Sequence, residues 1–179
     1  MKWILAVGCL AAVVPTPVQS QRVLSLGLAG GLSIPDGDLR AGATTGWHAL
    51  GTLVLSTPMQ PLGLRLDVAY NRFAFNDDVR AAVGDNGYQT VGSATANATY
   101  RLPMTDSPIS PYLVSGLGAY RSACSADDCD STTRYGWNAG LGTKVFAFRL
   151  RSFIEARYHR TSRGGRSVQY FPVTFGVMF

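Results

Sequence analysis

Helical patterning is the first thing this chain lacks. Beyond residue 20 it has no apolar run approaching the roughly 18–20 residues of a helical membrane span, and no helical period of useful length. Histidine is scarce, with only His48 and His159, and there are three cysteines. A structural zinc site takes four such ligands in paired spacing, so neither metal nor cofactor is expected. Charge is thin as well: Asp, Glu, Lys and Arg together make up 15% of the chain. The formal net charge is +5, but the basic residues are scattered singly. With no basic helix and no aromatic–basic motif, nucleic acid is not the expected partner. Disorder is excluded, because 46% of the residues are hydrophobic.

What is present begins with the pattern of a removable export signal over residues 1–20. Lys2 is the positive start, Trp3 to Val14 the short apolar core, Pro15 and Pro17 the break, and Val18-Gln19-Ser20 a small-residue cleavage site. The mature domain is then expected to be 21–179. In an exported chain its two remaining cysteines, Cys124 and Cys129 in Cys-Ser-Ala-Asp-Asp-Cys, favour a disulfide over half a metal site.

The last twelve residues, Val168 to Phe179, read VQYFPVTFGVMF. Phe171, Val173, Phe175, Val177 and Phe179 fall on alternate positions and so share one face of a strand. An apolar strand with an unpaired edge invites aggregation. Closing the sheet removes the edge, and setting the apolar face against lipid uses it.

Seven further segments carry the same two-residue period. Arg22 to Ser33 alternates Leu24, Leu26, Leu28 and Leu32 with small or polar residues. Thr45 to Ser56 is a second strand, although Leu50 and Val54 leave its facing open. Leu62 to Phe75 sets Leu62, Leu64, Leu66, Val68 and Tyr70 against Arg65, Asp67 and Asn71. Tyr88 to Arg101 has a polar face of Ser93, Thr95, Asn97, Thr99 and Arg101. Pro111 to Arg121, Tyr135 to Phe148 and Ser152 to Arg160 complete the set. Longer loops follow strands one, three, five and seven, and shorter turns follow two, four and six, with a tight turn at Arg149 to Arg151. That inequality is the outer-membrane pattern. The expected fold is all-β: an eight-stranded antiparallel up-and-down transmembrane β-barrel in the outer membrane.

An Arg or Lys on the lipid face near the midplane costs about 2–4 kcal/mol, so the charges must face the lumen. Arg65, Asp67, Arg101, Lys144, Glu155 and Arg157 are the candidates. Eight strands enclose an interior just wide enough for side chains, so these residues are expected to plug it as paired ions. Counted back from the tight turn, Lys144 opposes Glu155. A narrow gated ion path is the alternative. Asp127, Asp128 and Asp130 lack calcium-loop spacing and read as a solvated loop. Arg160, Arg163 and Arg166 either touch lipopolysaccharide phosphates or pair with those aspartates.

These alternations resemble the small outer-membrane β-barrel family of the OmpA and OmpX type. The likeness rests on Pro111-Tyr112-Leu113-Val114 through Gly118, Gly136-Trp137-Asn138-Ala139-Gly140, Phe153 to Tyr158, and the terminal Phe-Pro-Val-Thr-Phe-Gly-Val-Met-Phe. It implies that the last strand, with Tyr170, Gly176 and Phe179, is read by the barrel-assembly machinery. Pro172 departs from the pattern by removing one ladder donor. Lipid A deacylases are also eight-stranded barrels and carry His-x-Ser-Asn. Here the order is His159-Arg160-Thr161-Ser162, and His159 shares the inward face with Glu155 and Arg157. The expectation is a non-catalytic, monomeric barrel in contact with outer-membrane lipid and lipopolysaccharide. A lipid-modifying enzyme and a soluble lipocalin-like carrier are the other classes weighed.

Overall fold

The structure, a computed structural model, describes residues 23–56, 60–83, 87–103, 109–125, 131–147, 150–161 and 167–179. The export signal expected over 1–20 lies outside them. So do Cys129, the three loop aspartates, Ser162, Arg163 and Arg166.

Eight strands follow one another: β1 (Val23–Asp36), β2 (Gly46–Ser56), β3 (Leu62–Ala74), β4 (Tyr88–Arg101), β5 (Ile109–Cys124), β6 (Thr132–Ala147), β7 (Leu150–Thr161) and β8 (Gln169–Met178). Each pairs antiparallel with the next, and β8 pairs with β1 to close the barrel. Phe179 completes the seam by exchanging backbone hydrogen bonds with Leu26, at 2.7 and 3.3 Å. The terminal strand therefore has no free edge.

The register fixes the shape. Stepping through ladder partners from Leu26 leads to Leu53, Leu66, Ala96, Leu117, Trp137, Arg160 and Gln169, and returns to β1 at Asp36, ten residues further on. Such a stagger forces the strands to lean about 40° from the barrel axis.

Alternation sorts the two faces. Leu26, Leu28, Leu64, Leu66, Val68, Leu117, Leu141 and Phe175 point outward, each more than half exposed. On β2 the open facing resolves with Leu50 and Val54 inward and Trp47 outward. Outward aromatics gather toward one rim, where Trp47 meets Tyr70 and Trp137 meets Tyr158, both with ring centroids 5.8 Å apart. Tyr and Trp prefer a membrane–water boundary, where ring and polar tip are each suited.

The two ends differ. At the turn end, strands connect through 57–61, 102–108 and 148–149. The loop end carries 37–45 and 75–87, and both hold structure that the sequence did not announce. Gly37, at φ +54, opens a 3-10 turn over Gly37–Leu39. The segment expected as the polar loop Asn76 to Gly87 contains α1 (Asp77–Val83), whose start Asn76 caps by accepting the Val79 N–H at 3.0 Å. Asp77 and Asp78 sit in its first turn, where the helix dipole favours negative charge.

Candidate functional site

The inward faces stack in layers along the barrel axis. Midway lies an ionic ring. Arg65 and Asp67 project from β3, Glu155 and Arg157 from β7. These strands stand opposite each other across the barrel. Arg65 pairs with Asp67 at 2.7 Å and reaches across to Glu155 at 2.6 Å. Arg157 pairs with Glu155 at 2.5 Å and reaches back to Asp67 at 2.8 Å. Each guanidinium thus meets both carboxylates, and all four residues are buried. Neighbouring strands complete the shell. Asn97 donates to Asp67 at 2.9 Å, Asn138 to Asn97 at 2.8 Å, and Tyr112 to Glu155 at 2.7 Å. Gly140 leaves room for the ring, since a Cβ there would lie 2.7 Å from Arg157 Cγ.

Toward the loop end comes a neutral polar layer. Ser33 donates to Asn71 Oδ1 at 2.8 Å and lies 3.1 Å from His48 Nδ1. With its one hydroxyl proton spent on Asn71, Ser33 must accept from His48, which places the imidazole proton on Nδ1. Nε2 is then the acceptor for Thr174, 2.9 Å away. His159 stacks on Tyr170 at 4.8 Å and meets the Tyr120 hydroxyl at 3.1 Å through Nδ1. Above this layer Leu39, Ala43, Phe73, Val91, Tyr120, Val168 and Tyr170 form an apolar cluster that covers the lumen.

Toward the turn end the lumen widens into a cavity of about 350 Å³. Its lining includes Arg65, Arg101, Lys144 and Arg151, and no carboxylate among the described residues.

The six charges nominated from the sequence therefore divide. Arg65, Asp67, Glu155 and Arg157 come together. Arg101 and Lys144 line the turn-end cavity, where Arg101 donates to the Gln60 carbonyl at 3.0 Å and Lys144 lies 5.9 Å from the Tyr112 ring centre. The expected Lys144–Glu155 pairing is corrected by the register: Lys144 opposes Phe153, and Glu155 opposes Gly142. The last ladder pair of this hairpin is Ala147 with Leu150, so its register differs from one counted back from a turn at Arg149 to Arg151. Tyr170, Gly176 and Phe179 occupy different surroundings: Tyr170 is buried at the loop end, Gly176 packs under Phe153, and Phe179 is exposed at the turn end. Cys124 ends β5 at the loop end. The inward polar residues Ser33, His48, Asn71, Tyr112, Tyr120 and Thr174 were not singled out, although their alternation with outward apolar neighbours was the available signal. Among the described residues no His, Cys, Asp and Glu group is arranged to hold a metal ion.

A closed, staggered, eight-stranded barrel with an apolar outer band and a charged interior defines the class: this is the fold of the small outer-membrane barrels. Solved structures agree. The crystal structure of Neisserial surface protein A aligns with a TM-score of 0.65 at 17% identity, over 87% of this chain and 95% of that one. A major outer membrane protein from Thermus thermophilus aligns at 0.59 and 13% identity, over 88% and 99%. The N-terminal β-barrel domain of Pseudomonas aeruginosa OprF aligns at 0.52 and 14% identity, over 89% and 100%. No family model matches the chain, and no curated protein matches it.

Proposed function

We propose that this chain is a bacterial outer-membrane protein whose lumen is closed, and that it works through its wall and its loop-end surface rather than by conduction or catalysis. The observation that carries this reading is the four-membered ionic ring bridging β3 to β7, backed by the apolar cluster at the loop end. A buried charge is tolerable when paired, and these paired side chains reach across the lumen between β3 and β7, where a water path would have to run. The outward apolar band supports lipid as the surrounding medium, since soluble monomers rarely expose patches beyond a few hundred Å². The unequal connections orient the turn end to the periplasm and the loop end outward. The fold neighbours named for a bacterial surface or an outer membrane support the same address. The burial of His159 among Tyr120 and Tyr170 argues against lipid chemistry there, because a base must reach its nucleophile and substrate.

The remaining partners follow from that placement. Export through residues 1–20, delivery of the terminal strand to the assembly machinery, a Cys124–Cys129 clip in the third outer loop, and lipopolysaccharide phosphates against Arg160, Arg163 and Arg166 all belong to this reading. The chain acts as a monomer, since its barrel closes on itself.

Planar-bilayer conductance of the refolded chain is the test, with heat-modifiable gel mobility on the same sample showing a folded barrel. Silence is expected. Steady openings would overturn the closed lumen and return the ion path through the ring.

A further inference from the structure

Between the ionic ring and the loop-end cluster lies a second, much smaller space. It is a chamber of about 20 Å³, lined from the ring by Asp67 and Arg157 and from the polar layer by His48, His159, Tyr170 and Thr174. Tyr170 is 1% exposed, and its hydroxyl has no hydrogen-bond partner among the described residues. Buried hydroxyls are ordinarily satisfied, by protein or by ordered water. The main chain leaves a gap beside the same chamber. Thr161 N–H donates to the Val168 carbonyl at 3.0 Å, so by alternation Arg157 and Pro172 occupy a hydrogen-bonded position of the β7–β8 ladder. Pro172 has no N–H, the register holds no pair there, and both residues line the chamber. The Arg157 carbonyl thus loses its ladder donor.

A polar cavity needs roughly 10–15 Å³, and about two to four polar partners, to hold a water. The chamber meets that size and leaves little room for anything larger. An apolar hole of the same size stays dry, but here charged and hydrogen-bonding side chains contribute to the wall from both layers. We propose that the chamber is a binding site for one ordered water. The water bonds the Tyr170 hydroxyl and bridges from it to the ring, so that the polar layer and the ionic ring form one hydrogen-bonded network. The site uses interior side chains alone and asks nothing of the loop-end surface or the surrounding lipid. A lumen that is silent in a bilayer can be wet or dry at this point, so conductance and this site are read separately.

The test is a crystal structure of the refolded chain at a resolution that shows surface waters, joined to a double-variant cycle read as urea midpoints in lipid. Density for one water within hydrogen-bond reach of Tyr170 Oη is expected. A chamber without density, beside well-ordered surface waters, would overturn the site. Tyr170→Phe removes the hydroxyl and is expected to lower the midpoint, because the water loses a partner. In a dry chamber the same change rids the protein of an unpaired buried hydroxyl, so an equal or higher midpoint would count against the water decisively. Ala69→Val adds two methyl groups at the chamber wall and is expected to displace the water. In that background Tyr170→Phe is expected to cost less than it does alone, since residues that share one partner are coupled. An undiminished cost there would mean that protein groups hold the hydroxyl, and would equally sink the proposal. Heat-modifiable mobility of each variant shows that the barrel still forms.

Discussion

The loop end and the turn end of this barrel are made from the same eight strands, yet among the described residues one is packed with apolar side chains while the other keeps a cavity with cations in its lining. At the loop end 37–45 folds back, so that Leu39 and Ala43 drop onto Phe73, Val91, Tyr120, Val168 and Tyr170. At the turn end the described residues leave a cavity of about 350 Å³. The cavity there keeps charged side chains in its wall. Between the two ends the ionic ring acts as a partition. Its residues come from opposite strands, so it also ties the wall across its diameter.

The largest expected effect lies at that partition. Glu155→Gln leaves Arg65 and Arg157 sharing Asp67 alone, and removing one partner of a buried ionic set costs about 3–5 kcal/mol. Urea unfolding in lipid reads it. A loss below about 1 kcal/mol would mean that water already screens the ring and that the two ends communicate. Next comes the lid. Phe73→Ala empties the centre of the loop-end cluster, for a loss of about 3–4 kcal/mol by the same assay. A comparable loss from shortening a turn-end side chain would erase the contrast between the ends. Val68→Arg, at an outward mid-strand position, is expected to cost about 2–4 kcal/mol in lipid, whereas a soluble barrel would tolerate it. Gly140→Ala presses a methyl against the Ala156 carbonyl and Arg157 and is expected to cost about 1–3 kcal/mol, so it sharpens how tightly the partition is packed.

Much of the wall was legible because a strand has a period of two. Leu62 to Tyr70 and Phe171 to Phe179 sort cleanly, and Arg65 with Asp67 cannot sit in lipid. Depth was not legible. Alternation says which face a residue takes, but the ten-residue stagger slides each strand along the axis. Residues on one face therefore come to lie at different heights. Arg101 and Lys144 share the inward face with Arg65 and Arg157 yet line the cavity instead of joining the ring. The ring itself had a signal: Arg-x-Asp on the third strand and Glu-x-Arg on the seventh, reversed in order and half a barrel apart. Helix α1 escaped because seven residues are too few to show a helical period, although Asn76-Asp77-Asp78 is a recognisable start. Leu39 escaped because one leucine in a polar loop has no pattern to join.

The smallest expected effect is at the open mouth, and it makes the sharpest use of the contrast. Arg151 is exposed, so Arg151→Gln removes a charge that water already solvates. Its cost to stability is expected to stay within about 0.5 kcal/mol. A change toward greater stability, read as a higher urea midpoint at low salt and lost at high salt, would show that the mouth cations repel one another in the empty barrel, as like charges about a Debye length apart do. A mouth whose stability ignores both salt and Arg151 holds cations that water or their neighbours already compensate, and the difference between the two ends then lies in the apolar packing at the loop end alone.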